Sequence, residues 1–247
     1  MFKIVTKKGI TKEDLADSIL IAGFHGIGEV GYIASTQLIE AFSGERIGII
    51  DSEDLPSFVA MDHDRLSLPF EVYKFGKFVI MLPNFQPTLQ ELHGFCKGIV
   101  EWVVSNEFKE AFLIGGLDNK FQKDDDQLYR CVLTQKYDEK AKELDLPILE
   151  RGLYVTGPLA LLLAYFEMEE FPALAVLPYG KRDRPDPRAA SIAVKQFSRI
   201  YDLEVDIAEL LKDAQKIEEE LEEMLRQQKE KMIEETQSPI DRTNYYI

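Results

Sequence analysis

The sequence predicts an α/β protein: a mostly parallel sheet covered by helices on both faces. Two observations carry this. Short apolar runs read as buried strands, and they alternate with longer stretches whose apolar residues recur every three or four positions. That alternation is the pattern of strands joined by crossover helices, with the sheet buried on each side. A third observation sets the organisation. No tandem repeat and no Gly/Ser-rich linker interrupts the chain before its far C-terminal part, so one compact domain is expected over residues 1–202.

"SILIAG" (Ser18 to Gly23) is a buried strand followed by a glycine-rich turn. "GEVGYIASTQLIEAF" has helical spacing at Val30, Ile33, Ala34, Leu38 and Ile39. "ERIGIID" is a second strand, and "FEVYKFGKFVIMLPN" a hairpin turning near Gly76. "TLQELHGFCKGIVEWVVSNEF" is a helix that Thr88 caps, with Glu91 at capping-box spacing. "EAFLIGGL" is another buried strand and "DNKFQKDDDQ" a polar loop. "LYRCVLT" is a strand, "KYDEKAKEL" a helix and "PILERGLYV" extended. "TGPLALLLAYFEME" is a helix with Pro158 in its first turn, where the missing N–H costs little. "FPALAVLP" is a strand. "DPRAASIAVKQFSRIY" is a helix with Asp186 as N-cap and Pro187 at its first position.

Beyond Asp202 the character changes. Ile207, Leu210, Ala214, Ile217, Leu221 and Met224 are spaced alternately by three and four residues, a heptad seam on an acidic amphipathic arm expected over residues 203–235. From Asp202 to Ile247 there are 14 acidic and 6 basic residues, so 6 − 14 = −8 of the chain's net −15 lies there. The narrow stripe suits packing on the arm's own domain or on neighbouring subunits. Pro239 ends any helix, leaving residues 236–247 as an expected flexible tail.

Composition removes several function classes. With 29 basic against 44 acidic residues, the chain lacks the clustered cations that nucleic acid or an anionic membrane surface requires. No apolar run approaches the ~20 residues of a membrane span, and the first residues are too charged for a signal peptide. Cys96 and Cys131, far apart in sequence, form no disulfide framework, which points to the reducing cytoplasm. Both sit in apolar patterns and read as small core residues.

"GFHGIGEVG" places Gly23, Gly26, Gly28 and Gly31 between a strand and a helix. Gly26, Gly28 and Gly31 match a dinucleotide-type spacing and form a candidate anion-binding turn, with Asp51 as a candidate ribose ligand. The simpler reading is a tight turn with close helix–sheet packing. No Walker-type Lys-Ser/Thr follows the turn. His25 beside Glu29 is a candidate acid–base pair. His25, His63 and His93 show no zinc spacing, so no metal is expected. No nucleophile elbow and no complete calcium loop occurs.

Taken in order, "LIAGFHGIGEVGYIASTQLIE", "FLIGGL", "VTGPLALLLAYFEMEEFPALAVLP" and "RPDPRAASIAVKQFSRIYDLEVDIAELLKDA" resemble the proteasome assembly chaperone 2 family, especially its archaeal members. The likeness runs from about Leu20 to Ala214. It departs at "TGPLALLL", where such sequences often carry a second small residue after the glycine turn. The resemblance implies a three-layer αβα sandwich similar to purine nucleoside phosphorylases, though a shared fold does not transfer their chemistry. It also implies a homo-oligomer of about four or five subunits. It further implies an ATP-independent, cytoplasmic role with the 20S proteasome α-subunits, no cofactor and no enzymatic activity.

Relatives of this kind carry a C-terminal hydrophobic–Tyr–any residue motif, which here falls on Tyr245-Tyr246-Ile247. Tyr245 would fill an apolar slot, Tyr246 would add aromatic area and a hydroxyl, and the Ile247 carboxylate would meet a lysine between α-ring subunits. Two other readings stay open: a phosphate- or nucleotide-binding enzyme of phosphorylase-like or ligase-like fold, and a scaffold with buried tails.

Overall fold

Residues 2–51, 59–62, 65–123, 127–217 and 219 are described by the structure, a computed structural model. In chain order the elements are β1 (Lys3–Thr6), α1 (Lys12–Leu15), β2 (Ile19–Gly23), α2 (Val30–Ala41), β3 (Glu45–Asp51), β4 (Ala60–Asp62), β5 (Arg65–Ser67), β6 (Phe70–Phe75), β7 (Phe78–Pro83), α3 (Leu92–Ser105), β8 (Glu110–Ile114), β9 (Leu117–Asp118), β10 (Tyr129–Leu133), α4 (Asp138–Glu143), α5 (Pro158–Met168), β11 (Ala173–Gly180) and α6 (Pro187–Tyr201).

One sheet runs in the order β1-β3-β6-β7-β2-β8-β11-β10, with β9 extending the line of β8 beside β11. The expected mostly parallel sheet is corrected to a mixed one. Parallel pairing is confined to the centre, where β2 joins β7 and β8, and β11 joins β8 and β9. The pairs β1–β3, β3–β6, β6–β7 and β10–β11 are antiparallel. The physical reason is the connections. β6 and β7 are joined by a tight turn at Gly76 (φ +49°), which forces reversal, and the N-terminal strand β1 adds to the sheet edge against β3.

The side-chain alternation of the central strands builds two apolar layers. Leu20, Ala22, Ala111, Leu113, Ala173 and Ala175 face α3 and α5. Ile19, Ile21, Phe112, Ile114, Leu174 and Val176 face α2 and α6. Helices therefore cover both faces. Pro158 and Pro187 occupy first-turn positions of α5 and α6, and Asp186 caps α6 by accepting from Ala189 N at 3.0 Å. The expected cap of α3 is corrected: the helix starts at Leu92 with Glu91 at its N-cap position, and Thr88, whose Oγ1 accepts from Glu91 N at 3.3 Å and donates to the Glu91 carboxylate at 3.0 Å, closes the turn that leads into it.

After α6 the chain turns at Asp202 (φ +52°) and becomes helical again over 208–217. Leu210 of the seam is buried in the layer that α2 and α6 form with the sheet, and Ala214 is buried as well. Gln37 of α2 donates to Asp206 O at 3.2 Å. The described start of the acidic arm thus lies on its own domain.

Candidate functional site

β2 feeds α2 on one face of the sheet, while its neighbour β7 feeds α3 on the other. A crevice outside the carboxyl ends of the strands is the geometric result, and it is where α/β sheets bind ligands. The glycine turn after β2 lies there. A side chain at Gly23 would meet Gly31 O at 2.1 Å, and one at Gly31 would meet Ile114 O at 2.5 Å. These two glycines let α2 approach β2 and β8 at backbone contact. Gly28 has φ +62°, and Glu29 φ +50°. Gly26 is different: nothing lies within 4 Å of its Cβ direction.

The turn is braced from a distant part of the chain. Asp186 N donates to Gly28 O at 2.8 Å, and a Cβ on Gly28 would lie 3.0 Å from Asp186 Cβ. The same Asp186 carboxylate accepts from Ala189 N and from Lys181 N, each at 3.0 Å. So the two most distinctive sequence stretches, the glycine turn and "RPDPRAA", form one structural unit.

His25 Nε2 donates to Pro83 O at 3.1 Å, and the ring stacks on Tyr32 at 4.1 Å between centroids. Its Nδ1 lies 3.8 Å from Glu29 Oε2. Both ring nitrogens thus face partners of the fold. Asp51 is not brought to the turn. It ends β3, and β6 and β7 stand between β3 and β2, so three strand spacings put it about 14 Å away. His93 Nδ1 pairs with Tyr165 OH at 3.0 Å on the helical face. His63 and the proteasome-binding candidates Tyr245, Tyr246 and Ile247 lie outside the described residues. Among the described residues no group of three or more His, Cys, Asp or Glu could hold a metal ion, and no helix is long and apolar enough to cross a membrane.

The crevice contains a cavity of about 350 Å³ that sequence reasoning did not find. It is walled by the turn after β2 (Phe24 to Ile27), the segment after β8 (Gly115 to Asp118), and the lead into α5 (Tyr154 to Leu159). Gln86, from the loop after β7, closes one side. Its Nε2 donates to His25 O. Phe121 and Tyr154 stand at the mouth, 43% and 79% exposed. Asp118 is held by Lys120, through Nζ at 2.9 Å and the backbone N at 3.1 Å, which keeps its carboxyl below the usual range. The one signal available in the sequence was the paired glycines that end "FLIGGL".

Other titratable groups serve packing. Burial pushes the Cys96 and Cys131 thiols up to about 12, which makes them poor nucleophiles. Lys140 pairs with buried Glu110 at 2.6 Å and lies over the rings of Tyr137 and Tyr201. Arg130 donates to Glu150 Oε1 at 3.0 and 3.2 Å and, with Lys123 beside it, lowers that carboxyl to about 2.

Comparison with known proteins gives this geometry a context. A protein of Methanocaldococcus jannaschii, itself uncharacterized, is 24% identical over 245 residues, covering 96% of this chain and 94% of its own length. The crystal structure of Pyrococcus furiosus PbaA, an archaeal homolog of proteasome-assembly chaperone, superposes with TM-score 0.78 at 25% identity, covering 94% of this chain and 100% of PbaA. Pyrococcus furiosus PbaB, an archaeal proteasome activator, shares the fold with TM-score 0.72 at 19% identity, covering 90% and 98%. The PAC2 family profile matches residues 20–225, from the central strand through the glycine turn and α6 into the acidic arm. This chain belongs to the PAC2 family.

Proposed function

We propose that this chain is a proteasome assembly chaperone or activator that works without ATP and without chemistry of its own. The observation that carries the reading is the family match together with the likeness to PbaA along nearly the whole chain. In this reading the α/β body assembles into a homo-oligomer, and the acidic arms hold the C-terminal ends away from it. Tyr245, Tyr246 and Ile247 of each subunit dock on the 20S α-ring. Tyr245 and Tyr246 insert apolar area that water does not favour, and the Ile247 carboxylate pairs with a lysine.

One such end binds weakly. Several on one particle act at high effective concentration, and avidity multiplies the affinity by ~10²–10⁴. Like charge on the arms keeps them apart and soluble. The reading is tested by native mass measurement of the protein alone and mixed with 20S proteasome. A homo-oligomer that adds its mass to the 20S particle supports it. Unaltered 20S mass at micromolar protein argues against docking.

The phosphate- or nucleotide-binding reading draws support from the crevice at the strand ends. Its weakness is electrostatic: among the described residues neither Lys nor Arg lines the cavity there.

A further inference from the structure

The cavity at the strand ends has the attributes of a site for a small molecule, and its chemistry restricts which one. Its volume of about 350 Å³ is at the small end of the ~300–1,000 Å³ typical of ligand pockets. The walls are apolar: Phe24, Ile27, Ile114, Leu117, Leu159 and Leu177. At the mouth, Phe121 and Tyr154 expose aromatic rings that a flat ligand would cover by stacking.

Charge selects further. Among the described residues no lysine or arginine lines the cavity, so an anion entering it would lose hydration without a countercharge in its wall. The one carboxylate among the described lining residues, Asp118, is already paired with Lys120 at 2.9 Å, so a cation gains little. Polar capacity remains at two points. Gln86, an exposed side chain, donates from its Nε2 to His25 O, which leaves the acceptor capacity of its Oε1 to solvent or to a ligand. The exposed Thr156 hydroxyl offers a further donor and acceptor on the cavity wall. Gly26 keeps the wall open, since nothing lies within 4 Å of its Cβ direction.

We propose that this cavity binds a small, uncharged aromatic molecule carrying a donor–acceptor head group such as a carboxamide. The ring enters between the apolar wall and the mouth aromatics, and the head group meets Gln86 Oε1 and Thr156 Oγ1. The site is independent of the C-terminal docking proposed above.

The test uses the full-length protein and three probes of one shape: benzamide (neutral), benzoate (anionic) and benzamidine (cationic). Ligand-observed NMR titration reads the affinity of each. Benzamide is expected to bind saturably at millimolar concentration or better, with the two charged analogues at least tenfold weaker. Gly26→Leu, which fills open space, and Tyr154→Ala, which removes an exposed ring, are expected to weaken benzamide at least tenfold while leaving the thermal midpoint within about a degree. Absence of benzamide binding at 10 mM would overturn the proposal. So would equal binding of benzoate, or undiminished binding in both variants. A peptide of residues 242–247 that binds this cavity while benzamide does not would also overturn it, by assigning the cavity to a protein segment.

Discussion

Replacing Gly31 by alanine separates the packing and anion-binding readings of the glycine turn. The added Cβ would lie 2.5 Å from Ile114 O, 2.6 Å from Phe24 N and 2.9 Å from Gly23 Cα. All three neighbours are backbone atoms of the central sheet or its turn, so no side chain can swing aside. Relief requires α2 to move off β2 and β8. Overpacking a core commonly costs about 1–3 kcal/mol, and a backbone-only clash belongs at or above the top of that range. At about 3 kcal/mol, a domain of this size loses roughly 6–12 °C in thermal midpoint. Gly26→Ala is the matched control. Its Cβ meets nothing within 4 Å and its φ of −135° is open to alanine, so stability should change by no more than about 1 kcal/mol. Urea unfolding of both variants measures the contrast, with millimolar phosphate as a second arm that should leave the wild-type midpoint unmoved. The reasoning is refuted if Gly31→Ala is as stable as wild type, or if Gly26→Ala is equally damaging.

Asp186→Ala should destabilise by about 2–3 kcal/mol, because it removes both the α6 cap and the bond from Lys181 N; Asp186→Asn should recover part of that in the same urea assay. Glu150 gives a pH signature. Its folded carboxyl is lowered from 4.5 to about 2 by Arg130, so its stabilisation is present above pH 4.5 and is lost as pH falls from there towards 2. With the Glu150 side chain 28% exposed, the contribution is discounted to about 2 kcal/mol. The urea midpoints of wild type and Glu150→Gln should therefore differ at pH 6 and converge near pH 2. A constant gap across that range would contradict the assignment.

Most helices and central strands were legible because periodicity is local. Pro158, Pro187 and Asp186 marked their helix starts correctly, since a cap or a first-turn proline acts on its immediate neighbours. Sheet direction was less legible. The edge strand β1 carries too short an alternation to stand out, so the antiparallel flank was underestimated; β4 and β5, equally short, pair with each other in a separate two-stranded sheet. The candidate site was legible in part. The glycine spacing announced a close approach, and Gly23 and Gly31 make one. The brace from Asp186 to Gly28 was not legible, because the two are far apart in sequence and meet only through the fold. The cavity was invisible for the same reason: Gln86, Phe121 and Tyr154 come from three separate loops.

The central claim, that the last three residues dock this protein on the proteasome, is tested most directly by comparing two equilibrium affinities for 20S particles. One is that of the intact chain, the other that of a chain ending at Asn244. The account predicts that truncation weakens binding at least a hundredfold while thermal midpoint and particle mass stay the same. Equal affinity of the two chains would contradict it.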